Sequence, residues 1–447
     1  MVAEDLVRDE ALAGLSGKDA ARFSGPGTRL WHNRNFNMFW FGQSLSSLGD
    51  AFAMIAMPLL VLQATGSVAQ MGLVTGTFGA LQLVTGIFSG ALVDRLDRRR
   101  LMIACDLGRL VVYSLIPAGW LLAGPQIWLI YVTTALGSML GNVFGVAYIT
   151  AVPNLVDKDQ ITEANGRLQI SGGLSFVIGP VLAGVVTALF NPAAAIGVDA
   201  VSFLISALSL MLIRLRPTVV IAAAISGARA THLDELLAGI RFLFHQPLLR
   251  TVTIVFGIVN MVLVGGMDLF IYRLKHDLHQ SAGTVGLVFG LASMGAIFAG
   301  ILTPLLRRRF GFAVCWIGGL WGSGLALVAF ALSRSIPLVV LVAILFALVN
   351  TVMNVTNMSL RQEITPDHLL GRVTAAFWTL AGVAAPVGAT VSTLLAAQFG
   401  APAILTGMGV ITAIMAAISI ATPVNHRRPE LLYARDDAPA TVAVAAS

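Results

Sequence analysis

The sequence is poor in charged residues and in cysteine. Charged residues make up 11% of its 447 positions, whereas a soluble domain carries about 25%. Its two cysteines, Cys105 and Cys315, lie in apolar stretches, which excludes a disulfide framework and a CxxC metal site. The 28 basic residues outnumber the 22 acidic ones, but they are scattered and form no basic domain for nucleic acid. A soluble enzyme, a disordered regulator and a nucleic-acid binder are therefore excluded.

Apolar residues, in contrast, make up 57% of the chain. A run of about 20 apolar residues is long enough to cross a bilayer as a helix, and twelve such runs are present. They predict an all-α polytopic membrane protein with twelve transmembrane helices. The predicted spans are 37–63, 69–92, 101–123, 127–149, 169–190, 196–214, 250–272, 284–305, 312–333, 337–358, 372–397 and 402–422.

The predicted helices fall into two groups of six. The longest polar interruption separates helix 6 from helix 7, and a glycine followed by three arginines ends both helix 2 and helix 8. Such echoes are typical of transporters built from two related bundles with a site between them. The predicted organisation is an N-terminal tail (1–35), a first bundle (36–214), a central loop (215–248), a second bundle (249–422) and a C-terminal tail (423–447).

The basic residues predict the orientation in the membrane. With the N-terminus in the cytoplasm, 24 of the 28 lie in cytoplasmic segments, and only Arg273, Lys275 and Arg334 lie outside. Lys and Arg are retained on the cytoplasmic side of membranes. The first 35 residues are polar, so we expect no secretory signal. We predict a multi-pass protein of the cytoplasmic (inner) membrane with both termini in the cytoplasm.

Asp50 lies near the middle of predicted helix 1. A charge at the bilayer centre costs about 2.5–3.5 kcal/mol even on the mildest scale. Its carboxylate should therefore face a cavity or a partner, where it could bind and release a proton. We predict a proton-coupling or substrate-contact role for Asp50. A hydrogen bond between helices or a packing kink beside Gly49 is the alternative.

Further polar side chains favour a cavity between the helices. Gln43, Ser47 and Met54 share a helix face with Asp50, and methionine suits a pliant binding surface. Buried amides need partners or water. Hydrogen bonds between helices, worth about 0.6 kcal/mol each, are the alternative. The predicted cavity residues are Gln43, Ser47, Met54, Gln82, Asn142, Asn260, Asn350 and Asn354.

Charged residues also mark the cytoplasmic ends of helices 2 and 3. Asp94 and Arg95 lie where helix 2 leaves the membrane, and Asp106 and Arg109 lie one and two turns into helix 3. The latter spacing allows them to pair with each other or with the cluster that ends at Arg98. We predict that these five residues form a cytoplasmic gate. Simple anchoring of the loop is the alternative.

Helix 5 combines small residues with a proline. Ser175, Gly179 and Ala183 permit close backbone approach, and Pro180 removes a helical hydrogen bond. We predict a surface that slides during transport, with ordinary tight packing as the alternative.

Two remaining aspartates fall near helix ends. We expect Asp199 and Asp268 to cap or solvate the outer ends of helices 6 and 7. His276 and His279 flank Asp277 in an outer loop without further ligands, so no metal site is predicted.

Several of these motifs resemble the major facilitator superfamily. The pattern Gly90-x-x-x-Asp94-Arg95-x-x-Arg98-Arg99 is similar to its signature in the loop between helices 2 and 3. Gly179-Pro180-x-x-Ala183-Gly184 resembles the helix-5 motif of its antiporters. Segments such as Asn33–Phe36, Ser47–Asp50 and Asp199–Phe203 are similar to its macrolide-efflux and enterobactin-exporter branch. The resemblance spans roughly residues 30–425.

The resemblance implies two six-helix bundles, a rocker-switch cycle and proton-driven export. It also implies that Asp94, Arg95 and Arg98 form a latch near the start of helix 11. Gly179 and Pro180 would pack on helix 8. Two departures stand out: Pro304 replaces the aspartate in the second half, and Ala183-Gly184 replaces two glycines.

The sequence therefore predicts a secondary transporter that exports small amphipathic drugs or metabolites in exchange for protons. A dedicated siderophore-like metabolite exporter, or an importer, is the alternative, and a polytopic membrane enzyme is the least favoured. The GxxxxGK[ST] motif for ATP is absent. We expect no cofactor or metal and no nucleic-acid partner. The expected partners are a small-molecule substrate and the lipid bilayer, and the expected state is a monomer.

Overall fold

The computed structural model describes residues 30–157, 160–215 and 232–429. Within these ranges it describes every side chain except those of residues 87, 91, 94, 232–236, 367 and 368. Most of both predicted tails, and residues 216–231 of the predicted central loop, therefore lie outside the described residues, as does the side chain of Asp94.

Six helices form the first half of the molecule. They are α1 (Arg34–Thr65), α2 (Val68–Arg95), α3 (Arg98–Ala123), α4 (Ile127–Ala151), α5 (Ile161–Leu189) and α6 (Pro192–Leu212).

The second half repeats this arrangement. Helix α7 runs from Pro247 to Asp277 with a break at Gly265 and a final π-helical turn. Helices α8 and α9 form one run, Ala282–Leu332, that breaks at Gly311, where φ is 84°. They are followed by α10 (Ile336–Ile364), α11 (Asp367–Val383 and Ala385–Phe399) and α12 (Ala401–Ile420).

The prediction of twelve transmembrane helices in an all-α fold is confirmed. In the described residues, eleven helical runs are long and apolar enough to cross a membrane, and one of them contains both α8 and α9. Large apolar side chains cover the outside, for example Leu121, Leu122 and Ile149, which are 83%, 88% and 70% exposed. Only a lipid environment accommodates such a surface without a large cost.

Polar caps define where the helices begin. The side chains of Asn33, Asp97 and Asn191 accept hydrogen bonds from the backbone N–H groups three residues later. Each cap satisfies a donor that the first helical turn leaves unpaired. At the other end of α1, Gly66 adopts a left-handed conformation and its N–H bonds to the carbonyl of Leu62.

The molecule has two ends, defined by the chain direction. Helix α1 begins at the termini end and reaches the far end at Thr65, and successive helices alternate in direction. At the far end, one cluster of buried apolar residues includes both halves, with Phe52 and Ile116 from the first half and Leu269 and Leu405 from the second. At the termini end each half has its own cluster. The halves therefore share a core only at the far end.

Contacts between α2 and α11, and between α5 and α8, close the far end. Side chains added at Gly72 or Gly76 would collide with Thr393 or Thr390. A carbon added at Gly184 would lie 2.9 Å from the Cα of Gly286. We call these two contacts the far-end seal.

Among the described residues, the same four helices make no comparable glycine contact with one another toward the termini end. An added side chain would meet no described heavy atom within 4 Å at Gly90 of α2, Gly173 of α5, Gly300 of α8 or Gly371 of α11. The space between the halves is thus closed at the far end and open toward the termini.

Several helices, including α6, α7 and α10, extend a few residues beyond the predicted spans, and two further differences are larger. Helix α5 begins at Ile161, before the predicted 169, because its first turns are polar and carry an ion pair between Arg167 and Glu163 at 2.6 Å. The central loop contains a further helix, His232–His245. It packs on α11, where Gly239 approaches the backbone of Arg372 and Leu243 is fully buried.

Candidate functional site

A cavity of about 780 Å³ lies between the halves. Cavities of 300–1,000 Å³ are typical of sites for drug-sized molecules. The first half contributes α1 to α4 to its wall, and the second half contributes α7 and α11. Its lining includes Asp50, Met54, Met57, Met71, Thr75, Phe78, Gln82, Arg109, Tyr113, Met267, Asp268 and Trp378.

An ion pair forms part of the cavity wall. Arg109 of α3 donates a hydrogen bond of 2.5 Å from Nη2 to Oδ1 of Asp50 on α1. The Asp50 side chain is 52% exposed, whereas that of Arg109 is 9% exposed. The carboxylate is therefore accessible from the cavity, while its cationic partner is embedded in the first half.

Two further carboxylates surround Arg109. Asp106 Oδ1 lies 3.9 Å from Arg109 Nη1, and Asp199 of α6 is close enough to interact electrostatically with it. Both side chains are fully buried, and the Asp106 oxygens and Asp199 Oδ2 have no hydrogen-bond partner among the described residues. The guanidinium also lies 3.7 Å from the centre of the Phe203 ring, a favourable cation–π arrangement. One buried cation thus faces three carboxylates.

A close approach of α1 to α6 assembles this cluster. A carbon added at Gly49 would lie 2.6 Å from Asp199 Oδ1 and 2.7 Å from Ser202 Cβ. Only glycine leaves room for the α6 side chains at this crossing. Below it, Gln43 Nε2 donates a 2.8 Å hydrogen bond to Ser206 Oγ, which fixes the register of the two helices.

Of the predicted cavity residues, Met54 and Gln82 line the cavity together with Asp50. The others are not among its lining residues. Ser47 is half-buried on α1. Asn142 donates to the Gln82 carbonyl at 3.1 Å, and Asn260 to the Ala381 carbonyl at 2.8 Å. These amides and Gln43 make hydrogen bonds between helices, whereas Asn354 bonds within α10 to Asn350.

The structure divides the predicted gate residues between two places. Arg98 donates to the Thr150 carbonyl at 3.1 Å, at the termini end of α4, and Arg95 is exposed nearby. Asp106 and Arg109 instead lie deep in the first half beside Asp50. Among the described side chains, Asp50 and Asp106 are the ion-pair partners of Arg109.

The helix-5 motif contacts two neighbours. Gly179 packs against Ala51 of α1, so α8 is not its main partner. The carbonyl of Pro180 and the backbone of Gly184 face Gly286 of α8. The motif therefore joins α5 to both α1 and the far-end seal.

The expectation that Asp199 and Asp268 cap or solvate helix ends is wrong. Asp199 is 0% and Asp268 is 3% exposed. Helix α6 begins at Pro192, with Asn191 as its cap, so Asp199 lies two turns inside. Helix α7 continues to Asp277, which places Asp268 away from its end. The Asn-Pro pair, typical of a helix start, is the signal that could have placed Asp199 correctly.

The described residues contain no group of three or more His, Cys, Asp or Glu side chains that could hold a metal ion. The chemistry available in the cavity is therefore that of carboxyl, guanidinium and phenol groups beside methionine and aromatic surfaces.

Comparisons with known proteins agree with this architecture. The chain is 26% identical to the enterobactin exporter EntS of Citrobacter koseri over 354 residues, covering 78% of this chain and 82% of that protein. It is 25% identical to the multidrug efflux pump Tap of Mycolicibacterium fortuitum over 394 residues, covering 86% and 94%.

A solved structure has the same fold. It is a bacterial homologue of the human lysosomal transporter Spinster, with a TM-score of 0.71 at 14% identity over 93% of this chain and 100% of that one. The sequence model of the Major Facilitator Superfamily matches residues 39–388 and 265–444. The chain is a multi-pass membrane transporter, not an enzyme, and it belongs to the Major Facilitator Superfamily.

Proposed function

We propose that this transporter exports small amphipathic molecules in exchange for protons by alternating access. The observation that carries the proposal is the ion pair of Asp50 and Arg109 on the cavity wall. The pair supports the proposal because Asp50 lines the cavity, while its partner Arg109 is embedded in the first half. The proton gradient is the energy source, and no cofactor is needed.

The pair can convert proton binding into a structural change. A proton on Asp50 removes the charge that holds Arg109 Nη2. Asp106, 3.9 Å from Nη1, is then the nearest described carboxylate for the guanidinium. Arg109 extends from α3 to Asp50 of α1 and Phe203 of α6. A change of its partner from Asp50 to Asp106 would therefore move helices of the first half relative to each other.

Alternating access is supported by the closed far end and the open termini end. The positive-inside rule assigns the termini end, with its arginine-rich loops, to the cytoplasm. In this state the cavity would take substrate from the cytoplasm. A proton on Asp50 would be displaced there, and the reverse exchange would follow once the far-end seal opens.

The lining favours neutral or cationic substrates of varied shape. Methionines at 54, 57, 71 and 267 and the rings of Phe78 and Trp378 offer a deformable apolar surface. Asp50 and Asp268 are the acidic groups of the lining, and Arg109 is its cation. An organic anion would therefore find the cation Arg109 already paired with Asp50.

A dedicated metabolite exporter is the second candidate, because the chain is similar to a protein named as an enterobactin exporter. A catecholate siderophore could donate hydrogen bonds from its hydroxyl groups to the cavity carboxylates, but the methionine and aromatic surfaces of the lining suit substrates of varied shape. We therefore rank drug-like efflux first. Import would use the same site with the opposite coupling.

The remaining site residues have supporting roles in the proposal. Arg95 and Arg98, with Asp94, would latch the termini end to α11 when that end closes. The cavity lies between halves of one chain, so a monomer in the bilayer suffices for transport.

Uptake into inside-out membrane vesicles tests the proposal. Labelled lipophilic cations, macrolides and catecholates would be offered with the vesicle interior acidic, then again after an ionophore has collapsed the pH gradient. We expect gradient-dependent uptake in wild type and its loss in Asp50→Asn. Asp277→Asn, which changes an aspartate outside the cavity lining, should transport normally. Uptake that survives collapse of the gradient, or equal uptake in Asp50→Asn, would contradict the proposal.

A further inference from the structure

Asp268 is a second carboxylate in the cavity, and it belongs to the second half. It lies in the segment Gly266–Tyr272 of α7, just after the break at Gly265. Its side chain is 3% exposed, and Oδ2 has no hydrogen-bond partner among the described residues. The Thr75 side chain of α2, from the other half, faces it. Asp268 is thus buried where the two halves meet.

No described cation faces this carboxylate. The elements packed against its segment are α1, α2, α11, α12 and the rest of α7. Asp50, on the opposite wall, is the one titratable group in the far-end halves of α1, α2 and α11. Helix α12 contains none. On α7 itself, Arg273 donates to the Ser333 carbonyl at 2.9 Å and to Asp277. Arg109 and Tyr113 face the cavity from α3, where Arg109 is paired with Asp50.

Asp268 is also next to the far-end seal. Thr75 lies between Gly72 and Gly76, which pack on Thr393 and Thr390 of α11, and Thr390 Oγ1 donates to the Gly72 carbonyl at 3.4 Å. Gly265, at the break, approaches Ser392 of α11. Separation of α2 from α11 would therefore remove the covering of Asp268 and admit water from the far end.

The cost of burying this group depends on its protonation. An ionised carboxylate without a cation costs several kcal/mol to bury, whereas a neutral carboxyl group costs far less. Closing the seal over an ionised Asp268 is therefore unfavourable, and closing it over a protonated Asp268 is not. When the seal opens, hydration removes this difference.

We propose that Asp268 is a second proton-binding group and that its protonation allows the far-end seal to close. A proton from the far-side solution binds one carboxylate oxygen while the seal is open. The seal then closes over the neutral group, and the proton later leaves through the cavity toward the termini end. This proposal rests on the proposed proton-coupled cycle. It adds the condition that Asp268 must be protonated before the far-end seal closes.

Distance measurements across the seal test this proposal. Spin labels on cysteines at Ala69 of α2 and Gln398 of α11, with Cys105 and Cys315 replaced by alanine, would report opening in lipid nanodiscs without substrate. Wild type should be closed at acidic pH and open at alkaline pH. The open-to-closed ratio should change by up to about tenfold per pH unit, the limit for a single titrating group.

Three variants make the result specific. Asp268→Asn should stay closed at every pH, Asp268→Glu should retain a pH response, and Asp277→Asn, on the same helix, should behave as wild type. A normal pH response in Asp268→Asn would overturn the proposal, as would a wild-type seal that ignores pH. Asp50→Asn should retain the seal response. Because the measurement uses neither substrate nor gradient, its failure would leave the Asp50 test of transport unaffected.

Discussion

At the scale of single residues, the arrangement depends on one arginine shared among three carboxylates. Arg109 is held by a 2.5 Å contact to Asp50 and by the ring of Phe203. Asp106 and Asp199 complete its surroundings from the buried side. The Asp50 carboxylate is accessible from the cavity, while the two buried carboxylates surround the guanidinium from the other side.

Replacing Arg109 should be costly for stability. Arg109→Gln leaves Asp106 and Asp199 buried without a cation, and losing one partner of a buried pair costs about 3–5 kcal/mol. We expect a clear loss of thermal stability in detergent. Arg98→Gln, which removes a bond to a backbone carbonyl, should change stability by about 1 kcal/mol or less. Equal stability of both variants would show that Arg109 does not compensate the buried carboxylates.

A second residue-scale prediction concerns the crossing of α1 and α6. Gly49→Val would place carbon atoms on the Asp199 carboxylate and on Ser202. Overpacking of this kind costs about 1–3 kcal/mol, so the unfolding temperature should fall. Gly173→Val faces open space and is the matched control. If the two valine variants unfold at the same temperature, the close approach at Gly49 is not required.

Sequence alone could identify Asp50 but not its environment. A single carboxylate in the middle of an apolar run is evident from the chain, because a charge at the bilayer centre needs a partner or a cavity whatever its neighbours in sequence are. Its partner Arg109 was predicted only as a gate residue. The sequence spacing relates Arg109 to Asp106 on the same helix, but it gives no relation to Asp50 on α1. Asp199 depends on where α6 begins, and Asp268 on how far α7 continues. The ends of a membrane helix are hard to predict from hydropathy when its first or last turns are polar.

At the scale of helices, small residues decide where the two halves can touch. Gly184 and Gly286 bring α5 and α8 into backbone contact at the far end. The helix-5 motif thus makes a close backbone contact with α8, as the resemblance implies, but through Gly184. Gly179 contacts α1 instead. A contact between glycines has no side chains to rearrange, so it either forms completely or is lost.

Gly184→Val should therefore prevent closure of the far-end seal. The added carbons would meet the Ala282 carbonyl and the Gly286 Cα at about 2.9 Å. We expect transport to be lost in vesicles while the protein remains monodisperse and folded. Gly173→Val on the same helix, where the added side chain meets no described atom, is the control for folding and monodispersity. Normal transport by Gly184→Val would show that the contact is dispensable.

At the scale of the whole molecule, the two halves form a cavity that is open at one end. Thiol labelling can map this asymmetry in a background without native cysteines. Gln82→Cys, in the exposed cavity wall, should react with a hydrophilic thiol reagent applied from the termini side. Thr393→Cys, fully buried in the far-end seal, should react slowly from either side at acidic pH, where the seal is expected to be closed. Rapid labelling of Thr393→Cys and protection of Gln82→Cys would indicate the opposite state.

If the proposed coupling is right, substrate and proton compete through the Asp50–Arg109 pair. The most direct measurement adds a transported substrate to purified protein in lightly buffered solution and follows proton release with a pH-sensitive dye. We predict stoichiometric release from wild type and from Asp277→Asn, and none from Asp50→Asn despite retained substrate binding. Equal release from Asp50→Asn, or substrate binding by wild type without any release, would contradict the account.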